Sequence, residues 1–184
     1  MKLESDTLKY ERESTPATSS LDDELLWASL KTGNELAFSV LYKRYVNRLF
    51  NYGMHSCKDR DLVKDCLQEL FARLWSKRET LGVAGSVNYY LFKSFRRLLI
   101  GKLIAIRKFK LPFQTEPNSV FEFIPPWEDI LIEDESKNRK MEMLKSSINA
   151  LSKRQREAIF LKFFNDLSYH EVSSIMDLRV DSVY

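Results

Sequence analysis

The sequence predicts an all-α fold in two small helical modules, and three observations carry that reading. There are only 5 glycines, and 4 of the 5 prolines fall between Pro112 and Pro126, so long stretches on either side run without turn punctuation. Within those stretches the apolar residues return every three to four positions instead of alternating. The proline-containing segment has no periodicity, which sets a boundary between two helical halves. The expected organisation is a flexible tail over 1–20, a helical bundle over 21–109, a linker over 110–127, and a helix-turn-helix module over 128–184.

The tail is polar and mixed, with Ser, Thr and Pro16. A short helix fits Leu21 to Lys31, with Leu21, Leu25, Trp27 and Leu30 partly on one face and Gly33 as its stop. Asn34 is placed to cap the next helix, which runs to about Asn51 on Phe38, Leu41, Tyr42, Tyr45, Val46, Leu49 and Phe50. A third fits Asp61 to Ser76. Its apolar stripe includes Leu62, Val63, Cys66, Leu70 and Leu74, and its opposite face carries Asp61, Lys64, Asp65, Gln68, Glu69 and Arg73. Ser86 caps a long fourth helix toward Lys108. Four such stripes close a small bundle. In the linker, Phe113, Phe121, Phe123 and Trp127 suggest a surface that adheres to something. Helix resumes near Glu128 and continues toward Ala150, followed by helices over Gln155–Phe164 and Ser168–Met176.

Composition narrows the function. With 44% hydrophobic and 30% charged residues the chain is globular, not disordered. No apolar run approaches the roughly 18 residues of a membrane span, and the acidic N-terminus is not a signal peptide. Cys57, Cys66, His55 and His170 offer no metal-ligand spacing, so neither a metal nor another cofactor is expected, and the thiols fit a reducing, cytoplasmic setting. There is no Gly-rich phosphate loop or nucleophile elbow, which argues against an enzyme, and His170 reads as a helix-surface residue. The overall charge of +3 conceals a segment, 31–110, holding 17 basic and 6 acidic side chains. Such a segment invites a polyanion, because each cation that neutralises a phosphate releases a counterion; a merely solvated surface is the plain alternative.

Within that segment Tyr89, Tyr90, Phe92, Lys93, Arg96 and Arg97 interleave rings with cations. Rings stack on bases at about 1–3 kcal/mol each while cations hold phosphates, so the pattern suits a single strand. Tyr90 and Phe95 fit the helix core as well. Near the end of the chain, Ser173 is a small residue that lets one helix approach another. Asp177 takes a turn position that often needs a left-handed backbone, and Val172, Ile175, Leu178, Val180 and Val183 supply a shared core. A simple pair of core helices shares this spacing.

The string from Ala150 to Val183, ALSKRQREAIFLKFFNDLSYHEVSSIMDLRVDSV, closely resembles the promoter-binding domain of bacterial extracytoplasmic-function sigma factors. Its most characteristic pieces are Leu151, Arg154, Gln155, Arg156 and Glu157, and the run Leu167 to Val172. Beside it, the first module resembles the family's polymerase-binding domain. Phe38–Phe50 looks like the opening helix, DLVKDCLQELFARLW (Asp61–Trp75) like the helix that docks on the polymerase clamp, and Val87–Arg107 like the helix that captures the melted strand. The resemblance spans about residues 21–184. It implies a promoter-reading subunit that binds core RNA polymerase through Asp61, Asp65, Gln68, Glu69 and Arg73. It implies promoter DNA contacts, duplex and melted, through Tyr89, Phe92, Lys93, Arg96 and Arg97 and through Arg179, Asp181, Ser182 and Tyr184. An anti-sigma factor is a further implied partner; no small-molecule substrate and no membrane insertion are.

Three departures from the family pattern stand out. Arg97 and Gly101 replace the usual Asn and Asp of the melting helix, and Gly101 weakens a helix by about 1 kcal/mol. Arg179 stands where a Ser usually caps the recognition helix. Only about one turn of that helix precedes Tyr184, so the chain reads as truncated there and its upstream-element grip as weak or lost. Two other classes remain open: a helix-turn-helix regulator that works without polymerase, and an interaction protein that titrates polymerase or an anti-sigma factor.

Overall fold

The computed structural model of the chain describes residues 16–110, 143–144 and 146–183, with side chains from Asp22 to Ile106 and over 143–144 and 146–183. The expected linker and the helix start near Glu128 lie outside the described residues, as do residues 1–15 and Tyr184. The described residues are helical with no strand, as the sequence predicts.

Helix α1 spans Pro16–Lys31, so helical backbone begins inside the stretch expected to be tail; proline is well suited to a first helical position. Gly33, at φ +87°, ends it: the Gly33 N–H donates to Leu30 O at 2.9 Å and the Asn34 N–H to Ser29 O at 3.1 Å. The Asn34 side chain then accepts from the Leu36 and Ala37 amides, capping α2. One dipeptide stops the first helix and starts the second.

Helix α2 spans Glu35–Ser56 and outruns its expected end at Asn51. The reason lies in Gly53. A Cβ there would stand 2.7 Å from Val63 Cγ1 and 3.1 Å from Phe95 Cζ, so this glycine is kept for close approach between helices and not for a turn. Helix α3 (Arg60–Ser76) is capped by the Asp59 carboxylate, and α4 (Val87–Lys110) begins with the Ser86 hydroxyl accepting from the Tyr89 amide at 3.1 Å. These four helices enclose Trp27, Leu30, Leu41, Tyr45, Leu49, Tyr52, Val63, Leu70, Leu74, Leu91, Phe92, Phe95 and Leu99. Each such side chain contributes about 1.5–3 kcal/mol of burial. Among the described residues of this bundle the buried acid is Asp23, which accepts hydrogen bonds from Arg44 and from the Tyr45 hydroxyl. Burial, reinforced by that carboxylate, holds the Tyr45 phenol above its ordinary range.

The second module starts in helix over 146–150. Helix α5 (Lys153–Ile159) opens with a capping box between Ser152 and Gln155, and its last turn, Phe160–Phe164, is wound wide as a π-helix. Helix α6 (Tyr169–Met176) opens with a second capping box, Ser168 with Glu171. Asp177 then adopts the left-handed conformation expected of it, at φ +53°, and the Leu178 amide reaches back to Ser173 O at 2.9 Å. Ser173, the small residue expected at the helix crossing, is buried. Beyond it stands a short 3-10 turn, Val180–Ser182, whose preceding residue Arg179 makes no side-chain cap.

The modules are not separate. Phe160 stacks on Tyr52 of α2 with ring centroids 6.2 Å apart and meets His55 edge-on at 4.7 Å, so one apolar core runs through both. Helix α6 lies along α4.

Candidate nucleic-acid interface

Helix α4 carries the ring-and-cation pattern, and its helical spacing divides those residues into three groups. Phe92 is fully buried, packed edge-on to Tyr52 at 5.6 Å, so the stacking role expected of it is corrected: its ring is core, not surface. Arg97 points to solvent. Tyr89, Lys93 and Arg96 fall between, half-buried, one turn apart on the side of α4 that faces α6. Tyr90 packs on Trp27 at 5.0 Å, a core contact.

All three half-buried residues are engaged by the second module. Lys93 Nζ donates to Ser174 Oγ at 2.8 Å and to its own neighbour Tyr89 Oη, and the Tyr89 and Ser174 hydroxyls lie 2.7 Å apart. Burial alone would raise the Tyr89 phenol, but the hydrogen bonds from Lys93 and Ser174 favour its anion and leave it below the ordinary value. Arg96 Nε donates to Glu157 Oε1 at 2.8 Å, and Arg96 Nη1 donates to Ile175 O at 3.1 Å. Glu157 is 2% exposed and takes a second hydrogen bond on the same oxygen from Tyr52 Oη at 2.6 Å. Burial, joined by the Glu157 charge, drives the Tyr52 phenol well above its ordinary value. Burial works against the Arg96 cation too, yet the Glu157 carboxylate outweighs it and holds the guanidinium protonated more firmly than usual.

A second cluster completes the seam. Asn165 O accepts from Arg48 Nη2 at 2.8 Å and from Asn88 Nδ2 at 2.7 Å, with Asp166 3.7 Å from the same arginine. Sequence reasoning missed Arg48, Tyr52, Asn88, Asn165 and Ser174. Arg48 and Tyr52 sit inside an ordinary helical stripe, and the others are polar residues whose partners are distant in the chain. Only Glu157 carried a signal, as the acid closing the Arg154–Glu157 run.

The polar face of α3 lies elsewhere. Asp61, Asp65, Gln68 and Arg73 are exposed and Glu69 is half-buried, so the five form an open surface. A hydrogen bond from Lys102 of α4, at 2.9 Å, holds the Glu69 carboxyl below its usual value despite partial burial; Arg73, one turn on, adds to it. In the second module Arg179, Asp181 and Ser182 are exposed on and before the 3-10 turn, while Tyr184 lies outside the described residues. Among the described residues no group of His, Cys, Asp and Glu is arranged to hold a metal ion, and no helix is long and apolar enough to cross a membrane. Cys57 and Cys66 are free thiols buried in the first module.

Comparison with known proteins places both halves. Residues 41–107 match the family model for sigma-70 region 2, and residues 141–184 match that for sigma-70 region 4. These matches span 67 and 44 residues, 111 of the chain's 184. No curated protein matches at the sequence level. Among solved structures, the chain resembles CnrH in its complex with the cytosolic domain of CnrY, at 18% identity and a TM-score of 0.55, over 88% of this chain and 87% of that one. It also resembles the sigma factor RpoE from Bartonella quintana, solved with the anti-sigma factor NepR, at 17% identity and a TM-score of 0.55, over 79% of this chain and 86% of that one. At such identities the likeness is one of fold, and it extends through both modules. With two regions of one family matched in chain order on a shared fold, this chain belongs to the sigma-70 family.

Proposed function

We propose that the chain is an alternative sigma factor of the extracytoplasmic-function type, which binds core RNA polymerase and directs promoter recognition and the start of transcription. The observation that carries this reading is the presence of sigma-70 regions 2 and 4 in order on one chain. Its work is binding, not catalysis. The exposed face of α3, Asp61, Asp65, Gln68, Glu69 and Arg73, docks on polymerase. On α4, Tyr89, Lys93, Arg96 and Arg97 take the melted strand: a ring for a base and three cations for phosphates. Arg179, Asp181 and Ser182 meet the upstream duplex. Phe92 supports α4 from beneath. An anti-sigma factor is the expected regulator, in keeping with the complexes in which CnrH and RpoE were solved.

The test is copurification with bacterial core RNA polymerase, followed by transcription from a pool of genomic fragments. Retention on core together with new start sites supports the reading. Retention without initiation favours a titrating interaction protein. Absence of binding to core, with duplex DNA still bound, would leave a polymerase-independent regulator as the better account.

A further inference from the structure

Helix α1 ends at Lys31 and so falls outside residues 41–107, the part of the first module matched to region 2. One of its residues nonetheless reaches the start of α4. Trp27 is 3% exposed, and its contacts lie on either side of that start. The indole Nε1 donates to Gly82 O at 3.0 Å, 55 residues along the chain, and the ring meets Tyr90 edge-on at 5.0 Å. Between these two points the connection from Gly82 to Ser86 enters the helix, where Ser86 Oγ accepts from the Tyr89 amide and Ser86 O from the Tyr90 amide. Two glycines give this connection freedom. A Cβ on Gly82 or Gly85 would meet nothing within 4 Å among the described residues, and Val83 is 93% exposed. Glycine backbone costs the most entropy to fix. A phenylalanine at position 27 would pack on Tyr90 as well but would carry no donor, whereas a buried indole N–H needs an acceptor. The hydrogen bond therefore holds Gly82 in place ahead of the helix that begins at Val87.

We propose that Trp27 is a positioning residue for strand capture: it ties the connection before α4 and the first turn of α4 to one rigid ring, and thereby sets where Tyr89 is presented. This inference rests on the reading of α4 as the strand-capturing helix. It gives α1 a task in promoter opening, separate from the docking of α3 on polymerase. Buried as it is, Trp27 acts through Gly82 and Tyr90 and not by contact with DNA. Losing the N–H while keeping a ring leaves the bundle folded and the α3 face in place, yet frees the connection that leads into α4.

The full chain is assembled on bacterial core polymerase, and two quantities are scored for each form: retention on core, and transcript yield from a genomic fragment on which the parent initiates. Trp27→Phe keeps a ring against Tyr90 and removes the donor. Leu30→Val, at a buried α1 residue one turn on, is the control for lost core packing. Insertion of one glycine between Gly82 and Val83 shifts the connection with every core side chain kept, and it decides the matter if Trp27→Phe melts far below the parent. Trp27→Phe and the insertion are expected to keep core retention near the parent's and to lower transcript yield about fivefold, the factor that accompanies one neutral hydrogen bond. Leu30→Val is expected to keep both. Undiminished yield in Trp27→Phe, a loss of yield that Leu30→Val shares, or a parallel loss of core retention would each overturn the positioning role. A parent that does not bind core overturns the polymerase reading and this inference with it. A parent that initiates beside an unaffected Trp27→Phe overturns this inference alone.

Discussion

Arg96 of α4 and Glu157 of α5 form an ion pair at 2.8 Å across the seam between the modules, with side-chain exposures of 15% and 3%. The two partners stand on different modules, 61 residues apart in sequence, so the pair forms only when the modules dock. Removing one partner strands a desolvated charge, a loss of about 3–5 kcal/mol at fully buried sites. Arg96 keeps some access to water, so Glu157→Ala is expected to lower stability by about 3 kcal/mol, and the paired change R96M/E157M by much less. Urea denaturation of the two variants beside the parent gives the comparison. Equal losses would mean that the pair is not what holds the seam.

Two phenols make the fold sensitive to alkali. Tyr45 and Tyr52 are both raised above their unfolded value, by burial first and by the Asp23 and Glu157 carboxylates next. A raised folded-state value means that the neutral phenol is the one the fold prefers. Their contribution is fully present below the ordinary phenol value near 10 and is lost as pH rises beyond it toward their folded-state values. Tyr89, lowered by Lys93 and Ser174 against burial, has the opposite sign and ionises first. Absorbance titration at the tyrosinate band should therefore show one early step that disappears in Tyr89→Phe. Stability should fall above pH 10, less steeply in Tyr52→Phe.

Two glycines invite opposite outcomes. Gly53→Ala places a methyl 2.7 Å from Val63 Cγ1 and 3.1 Å from Phe95, against two interior side chains, and should destabilise by about 1–3 kcal/mol. Gly101 lies within α4 with open space where a Cβ would stand, so Gly101→Ala should stabilise by up to about 1 kcal/mol through helix propensity. Thermal melts of both single variants decide the matter.

The contrast shows what was legible in the sequence. Periodicity reveals stripes, and stripes sufficed for the four-helix bundle, the α5–α6 pair, the Gly33 stop and the left-handed Asp177. The apolar positions counted for α2 stop at Phe50, so its end was set at about Asn51, and periodicity gives no sign that Gly53 is a point of contact between helices. It also assigned Phe92 to the surface because rings and cations adjoin there in sequence, although a helix turns the ring inward. The seam was hidden for a different reason. Glu157, Ser174 and Asn165 acquire meaning only from partners 61, 81 and 77 residues away, and no local pattern marks such pairs.

The exposed face of α3 provides the last prediction. Asp61 and Asp65 lie one turn apart on the solvent side of α3, and both side chains are exposed: Asp61 stands 4.0 Å from Lys64, an exposed pair worth under about 1 kcal/mol. Reversing both, in Asp61→Lys with Asp65→Lys, should leave the melting temperature within a few degrees of the parent. If this face docks on polymerase, the same change should weaken retention on core by at least tenfold, since like charges then meet where opposite ones did. Binding of a single-stranded 20-mer should not fall, because Asp61 and Asp65 are not among the residues that line the seam at Arg48, Asn88, Lys93 and Arg96. Loss of core binding with oligonucleotide binding intact would separate the two surfaces, one for the enzyme and one for the strand. Undiminished core binding would move the docking surface off α3.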